Sequence, residues 1–231
     1  MGEIGDLKRI AAYEAVDSNV RSGMTVGLGT GSTASHAVRR VGELLSGGEL
    51  SGVRGIPTSE RTAALAAEVG IPLVTLAEAR PDLTIDGADE ISPSLDVIKG
   101  YGGALLREKI VAASGREGLV IVADASKLKD PLGDGPLPVE VEPFGWQATF
   151  DALASLGCEP KLRTDSQDPS RPFVTDGGHY TVDCLFPSIT EPAALETEIK
   201  RIPGALECGL FVGIAYAAYV AHEDRTEVLE A

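Results

Sequence analysis

The chain has 231 residues, enough for one sizeable core or for a main domain carrying a smaller one. Its 35 acidic against 20 basic residues give a net charge of −15, which excludes non-specific attraction to nucleic acid or to an anionic membrane. The three cysteines, Cys158, Cys184 and Cys208, are widely spaced with no CxxC pair, so they read as buried thiols and not as a disulfide framework or a zinc site.

From Ala11 to about Ala125, short apolar runs alternate with amphipathic stretches: "MTVGLG" then "TASHAVRRVGELL", "VRGIP" then "SERTAALAAEVG", "LTIDGADEI" and "VIKG" then "ALLREKIVAAS", and last "GLVIVAD". Strands of this length between helices predict an α/β fold, a parallel sheet with helices on both faces. Ligands of such sheets bind at the carboxyl ends of the strands, and "GTGST", "PTSERT", "DGADE" and "KGYGG" all follow strands here. The texture changes at "KDPLGDGPLP", which reads as a linker. Beyond it come "PVEVEP" as a strand, "WQATFDALASLG" as a helix, "EPKLRT" as a strand, "FVTDGGHYTVDCLF" as a hairpin turning at Asp176 to Gly178, and "PAALETEIKRI" as a helix. The expected division is residues 1–129 with 206–231 as the main domain, and an inserted small α+β lobe over 130–205 that can serve as an oligomer contact.

The glycine turn "GLGTGSTA" opens a helix, so its amides and the hydroxyls of Thr30, Ser32 and Thr33, with Gly31 between them, suit a phosphate or sugar oxygens. A dinucleotide fits poorly, because Ser32 stands at the third glycine of GxGxxG and no acid ends the next strand at the usual distance; a P-loop lacks its Gly-Lys-Ser/Thr ending. Asp86 and Asp89 flank the Gly87-Ala88 turn, where two carboxylates can bind sugar hydroxyls, move protons or hold a cation; with no histidine or third well-spaced acid beside them, metal is the weaker option. Lys99 precedes the glycine run Gly100, Tyr101, Gly102, and Glu108 falls about one turn into the next helix, placed to act as a base or to be a surface acid paired with Arg107 or Lys109. Lys127 adds a cation past the "GLVIVAD" strand. The histidines, His36, His179 and His222, lie outside these motifs, and a histidine triad has no support.

The motifs "GLGTGSTA", "TSERT", "DGADE", "KGYGGALLREK" and "ADASK", in this order, resemble the type A ribose-5-phosphate isomerases, and the similarity continues through "PLPVEV", the "VTDGG" turn with Asp183 beyond it, and "IPGALECGLF". The resemblance implies a Rossmann-like domain with a ferredoxin-like lobe. It also implies interconversion of D-ribose 5-phosphate and D-ribulose 5-phosphate through an enediolate, with no metal and no cofactor. Glu108 is then the proton-transferring base, with Lys99, Asp86 and Asp89 assisting. Substrate contacts fall on Thr30 to Thr33, Asp86 to Asp89, Lys99 to Gly102, Lys127 and Lys8. Two departures stand out: Tyr101 takes the place of a small residue in the glycine run, and His179 that of an asparagine in the hairpin. The alternatives weighed are an amino-sugar phosphate deaminase or coenzyme A transferase, against which the "DGADE" and "KGYGGALLREK" pair speaks, and a sugar-phosphate sensor, which has no need of Glu108.

Three further expectations concern surroundings. The partner is a small sugar phosphate, with no nucleic acid and no membrane, and the family tendency points to a homodimer or homotetramer. The longest apolar run, Gly209 to Ala221, is too short and interrupted to span a bilayer, and with no signal peptide read at the start a cytoplasmic location is expected. Few lysines (Lys8, Lys99, Lys109, Lys127, Lys129, Lys161 and Lys200) on an acidic chain suggest adaptation to high salt.

Overall fold

The computed structural model describes residues 4–231 and divides them into two compact units, one of residues 4–88, 107–127 and 213–231, the other of 89–106 and 128–212. In chain order the elements are α1 (Ile4–Asn19), β1 (Thr25–Leu28), α2 (Ala34–Ser46), β2 (Arg54–Pro57), α3 (Glu60–Glu68), β3 (Leu83–Gly87), β4 (Glu90–Ile91), β5 (Val97–Ile98), α4 (Leu105–Ser114) and β6 (Leu119–Asp124). After a 3-10 turn at Ala125–Lys127 come β7 (Leu137–Val141), α5 (Trp146–Ala154), β8 (Glu159–Leu162), β9 (Tyr180–Leu185), α6 (Pro192–Lys200), β10 (Ala205–Cys208), β11 (Leu210–Phe211), β12 (Ala215–Ala221) and β13 (Thr226–Glu230).

The first unit is built on a six-stranded sheet, ordered β13-β12-β6-β3-β1-β2, parallel except for β13. All six residues of β6 are buried, the first five an unbroken apolar run as suits a central parallel strand. Helix α2 buries Ala34, Ala37, Val38, Val41 and Leu44, a stripe at helical spacing. Gly27 is required by the close approach of β1 to β3, since a side chain there would run into Thr84. The core of this unit joins Ala11, Ala15 and Val16 of α1 to Val26, Leu83, Ile85, Val120 and Val122 of the sheet.

The second unit holds a four-stranded antiparallel sheet, ordered β10-β7-β9-β8. Its connectivity, β7-α5-β8-β9-α6-β10, is the split βαβ arrangement of ferredoxin-like folds. Here β10 is the fourth strand, so the lobe extends past residue 205. A separate three-stranded sheet, β11-β5-β4, belongs to the same unit. Residues 89–106 therefore group with the lobe, and "KGYGG" follows an antiparallel strand, not a strand of the parallel sheet. The "FVTDGG" stretch forms no paired strand with β9; Thr175 instead receives the amide of Gly178 and donates to the carbonyl of His179, closing a tight turn. Among the described residues, no helix is long and apolar enough to cross a membrane.

Candidate functional site

In the first unit, four of the predicted segments lie at the carboxyl edge of the parallel sheet, after β1, β2, β3 and β6. Register alone fixes this, because parallel neighbours end on the same side. Thr30 is the buried hub of the first turn. Its Oγ1 lies 2.7 Å from Thr58 Oγ1, 2.7 Å from Ser59 Oγ and 2.9 Å from Thr62 Oγ1, so the "TSERT" segment braces the glycine turn with a hydroxyl cluster. Thr62 Oγ1 also donates to the Gly29 carbonyl at 3.0 Å, and Ser59 caps α3 by accepting from the Thr62 amide. Sequence reasoning noticed this segment as a strand end but assigned none of its residues.

Gly31 adopts φ +137°, with open space where a side chain would stand. Only glycine takes that conformation without strain, and it leaves the following amides of the turn uncovered at the start of α2. Thr33 is the N-cap residue, yet its side chain makes no capping bond, so the hydroxyl is not consumed by helix closure. Ser32 is exposed and accepts from Lys8 Nζ at 3.0 Å. Lys8, reached from α1, thus brings a cation to the turn that the sequence singled out for an anion.

Asp86, buried at the end of β3, accepts from the Thr30 amide at 3.0 Å and from the Gly87 amide at 2.7 Å through the same oxygen. It fixes the glycine turn. Lys127 ends the 3-10 turn after β6, and Asp124 braces that turn by accepting from the Ser126 amide and hydroxyl. Glu108 lies in the first turn of α4 and is only 2 % exposed. That burial speaks against a solvent-facing acid; Arg107 lies 2.8 Å from Glu60. A carboxylate in a helix's first turn also meets the positive end of the helix dipole.

In the second unit, Asp89 accepts from the Tyr101 amide at 3.0 Å, doing for the loop after β5 what Asp86 does for the turn after β1. Lys99 is 3 % exposed, with Nζ 5.6 Å from the centre of the Phe211 ring. Its amide donates to the Gly209 carbonyl at 2.8 Å, an approach so close that Gly209 could carry no side chain. Gly102 is exposed, Tyr101 is 41 % exposed with its hydroxyl packed against Gly135, and Gly100 takes φ +113°. Burial, then the charges of Glu90, Asp89 and Asp183, push the Tyr101 hydroxyl well above its ordinary pKa, with Arg163 opposing. Glu90, the last acid of "DGADE", is buried and accepts from the amides of Gly133 (2.7 Å), Asp134 (3.3 Å) and Gly135 (2.6 Å). The "KDPLGDGPLP" tract is therefore pinned at its centre and is not a free linker.

Two other features lie apart from these residues. A cavity of about 640 Å³ in the second unit is lined by 129–134, 157–159 and 185–188 and contains none of the predicted site residues. Glu196, Glu207 and Cys208 are close enough together to hold a metal ion, but Lys200 already sits 2.6 Å from Glu207. Of the histidines, His179 contacts Glu140 at 2.8 Å and His222 contacts Glu227 at 2.9 Å, while burial followed by Arg39, Arg9 and Lys8 lowers the pKa of His36.

A parallel α/β unit with glycine turns, acids and cations at one sheet edge, carried with a ferredoxin-like unit, defines the class of protein that receives a small anionic substrate. The profile of the family "Ribose 5-phosphate isomerase A (phosphoriboisomerase A)" matches residues 54–225. A ribose-5-phosphate isomerase A of Gloeobacter violaceus is 58% identical over 226 residues, covering 96% of this chain and 95% of the relative. A solved D-ribose-5-phosphate isomerase in complex with phospho-erythronic acid superposes with a TM-score of 0.96 at 36% identity, over 100% of both chains. The ribose 5-phosphate isomerase A of Methanocaldococcus jannaschii gives 0.93 at 39% identity, over 99% of this chain and 100% of that one. The chain belongs to the ribose 5-phosphate isomerase A family.

Proposed function

We propose that the protein interconverts D-ribose 5-phosphate and D-ribulose 5-phosphate, and that Glu108 moves the proton between C2 and C1. The observation that carries the assignment of the base is its burial: a carboxylate 2 % exposed in the first turn of α4, in a chain of this family, has no solvation role to play. In a dry setting one carboxylate can take the proton from C2 and return it to C1 of the same intermediate. The negative charge that develops on the enediolate needs donors already in place, and Lys99 with the amides of Gly100 and Gly102 supplies them in this reading, the Tyr101 amide being held by Asp89. Lys8, Thr30, Gly31, Ser32, Thr33 and Lys127 receive the phosphate and neighbouring oxygens. Asp86, Gly87, Ala88 and Asp89 meet the sugar hydroxyls, and either acid can pass a proton during ring opening.

The reaction as written needs no metal and no cofactor. A cytoplasmic location and an assembly of two or four copies, with the lobe at the contact, accompany the proposal. The test is proton NMR of chelator-treated protein with ribose 5-phosphate in deuterated water. Ribulose 5-phosphate carrying deuterium at C1 is the expected product, and no product from the wild-type chain would sink the reading. Glu108→Gln should lower turnover by about 10²- to 10⁴-fold while calorimetry still detects ribose 5-phosphate binding. Near-wild-type turnover in that variant would strip Glu108 of its role.

A further inference from the structure

Arg163 stands one residue past β8, and its guanidinium is forked onto Asp183 of β9: Nε donates to Oδ2 at 2.9 Å and Nη2 to Oδ1 at 2.5 Å. Two parallel bonds fix the plane of the guanidinium as well as its position. The remaining nitrogen, Nη1, donates to the carbonyls of Gly100 at 2.9 Å and Tyr101 at 3.2 Å. Behind it the Phe173 ring lies 5.8 Å from Cζ, and a side chain at Gly103 would collide with that ring. The glycine loop thus rests on the Arg163–Phe173 stack.

The consequence follows from peptide geometry. The loop's peptide bonds are trans, so the C=O and N–H of each point to opposite sides. The peptide between Gly100 and Tyr101 is held at both ends, its carbonyl by Arg163 and its N–H by Asp89. The next peptide has its carbonyl on Arg163 as well, so the Gly102 N–H is turned away from the guanidinium, at a residue that is exposed and has no side chain to cover it.

We propose that Arg163, held by Asp183, is a positioning residue that sets the direction of the loop's peptides and so presents the Gly102 N–H to an oxygen of the sugar phosphate. This rests on the isomerase reading above. Arg163 touches no substrate in this account; it acts through the loop. Lysine is a poor replacement, because one ammonium cannot fork onto Asp183 and reach two carbonyls in a fixed plane. The anchor is also invisible to local sequence reading, since Arg163, Asp183 and the loop come together only through the β8–β9 pairing.

The experiment compares wild type, Arg163→Lys, Arg163→Met and Gly102→Pro in steady-state conversion of ribose 5-phosphate, with urea unfolding and circular dichroism on each. Arg163→Met should raise KM about tenfold under conditions where the chain is fully folded, a loss of the size expected for one well-directed hydrogen bond. Arg163→Lys should fall between it and wild type. Gly102→Pro removes the N–H itself while keeping the Arg163 side chain and should raise KM comparably, which tests the donor even if Arg163→Met does not fold. A purely structural staple would lower the urea midpoint and leave the KM of the folded fraction within about twofold of wild type. That result in Arg163→Met, or an unchanged KM in Gly102→Pro, overturns the proposal. If wild type converts no ribose 5-phosphate, the isomerase reading has failed first; if wild type converts it and the variants match its KM, only this inference has.

Discussion

Tyr101 shows how one side chain can be tied to several neighbours at once. It interrupts the glycine run, yet its hydroxyl settles where a side chain at Gly135 would collide with it, beside Glu90. Burial is the largest reason that its pKa is raised, followed by Glu90, Asp89 and Asp183. A phenol whose folded pKa lies above its unfolded value of about 10 stabilises the folded state fully below pH 10, and that contribution is lost as pH rises toward the folded value. The sign follows from proton counting: above pH 10 the unfolded chain has released a proton that the folded chain still holds, so alkali favours unfolding. Tyr13 and Tyr216 are shifted the same way and add to the slope. Wild type should therefore lose thermal stability steeply between pH 9 and pH 11, and Tyr101→Phe should lose less over the same range. Parallel melting curves for the two proteins would remove Tyr101 from this account.

At the scale of elements, the acids of "DGADE" each organise a different segment: Asp86 the turn after β1, Asp89 the loop after β5, Glu90 the tract before β7. Glu90 is the most exacting case, a buried carboxylate accepting from three successive amides. Glu90→Gln keeps the shape but sets an NH₂ group against at least one of those donors. The variant should be destabilised by about 2 kcal/mol, read as a lower urea midpoint, with faster amide exchange concentrated at 133–135. An unchanged midpoint would mean that the tract holds itself without Glu90. The sequence showed the residue types at these strand ends but not their partners, and the reason is physical. Helix periodicity and strand alternation are local, so α2, α5, α6, β6 and β7 were legible. Pairing is not local: β5 finds β11 far along the chain, which draws "KGYGG" out of the parallel sheet and into the second unit. A Pro- and Gly-rich tract looks like a linker until a distant carboxylate claims its amides. For the same reason Thr58, Ser59, Thr62 and Arg163 carried no signal of their own beyond the strand end that "TSERT" follows.

For the whole molecule the dominant quantity is charge. A net −15 in one chain places like charges close together over its surface, and their repulsion is relieved on unfolding, when the charges move apart. The ion pairs that offset it sit largely at the exterior, as in Arg39–Glu68, Arg107–Glu60 and Arg116–Asp82, and exposed pairs contribute at most about 1 kcal/mol each. Salt weakens both terms, but repulsion among many uncompensated carboxylates outweighs attraction within a few pairs. Shortening the screening length from about 10 Å at 0.1 M to about 3 Å at 1 M should thus raise the melting temperature at pH 7. Each kcal/mol gained corresponds to about 2–4 °C for a chain of this size. Sodium chloride is the salt to use, because sulfate would strengthen apolar burial independently of charge. A control separates the two effects: near the sequence pI of about 4.6 the net charge vanishes, and with it the repulsion that salt can screen. The expected result is a clear rise in melting temperature with sodium chloride at pH 7 and little or none near pH 4.6. A rise of the same size at both values would assign the effect to apolar burial, and no rise at pH 7 would remove the case for adaptation to high salt.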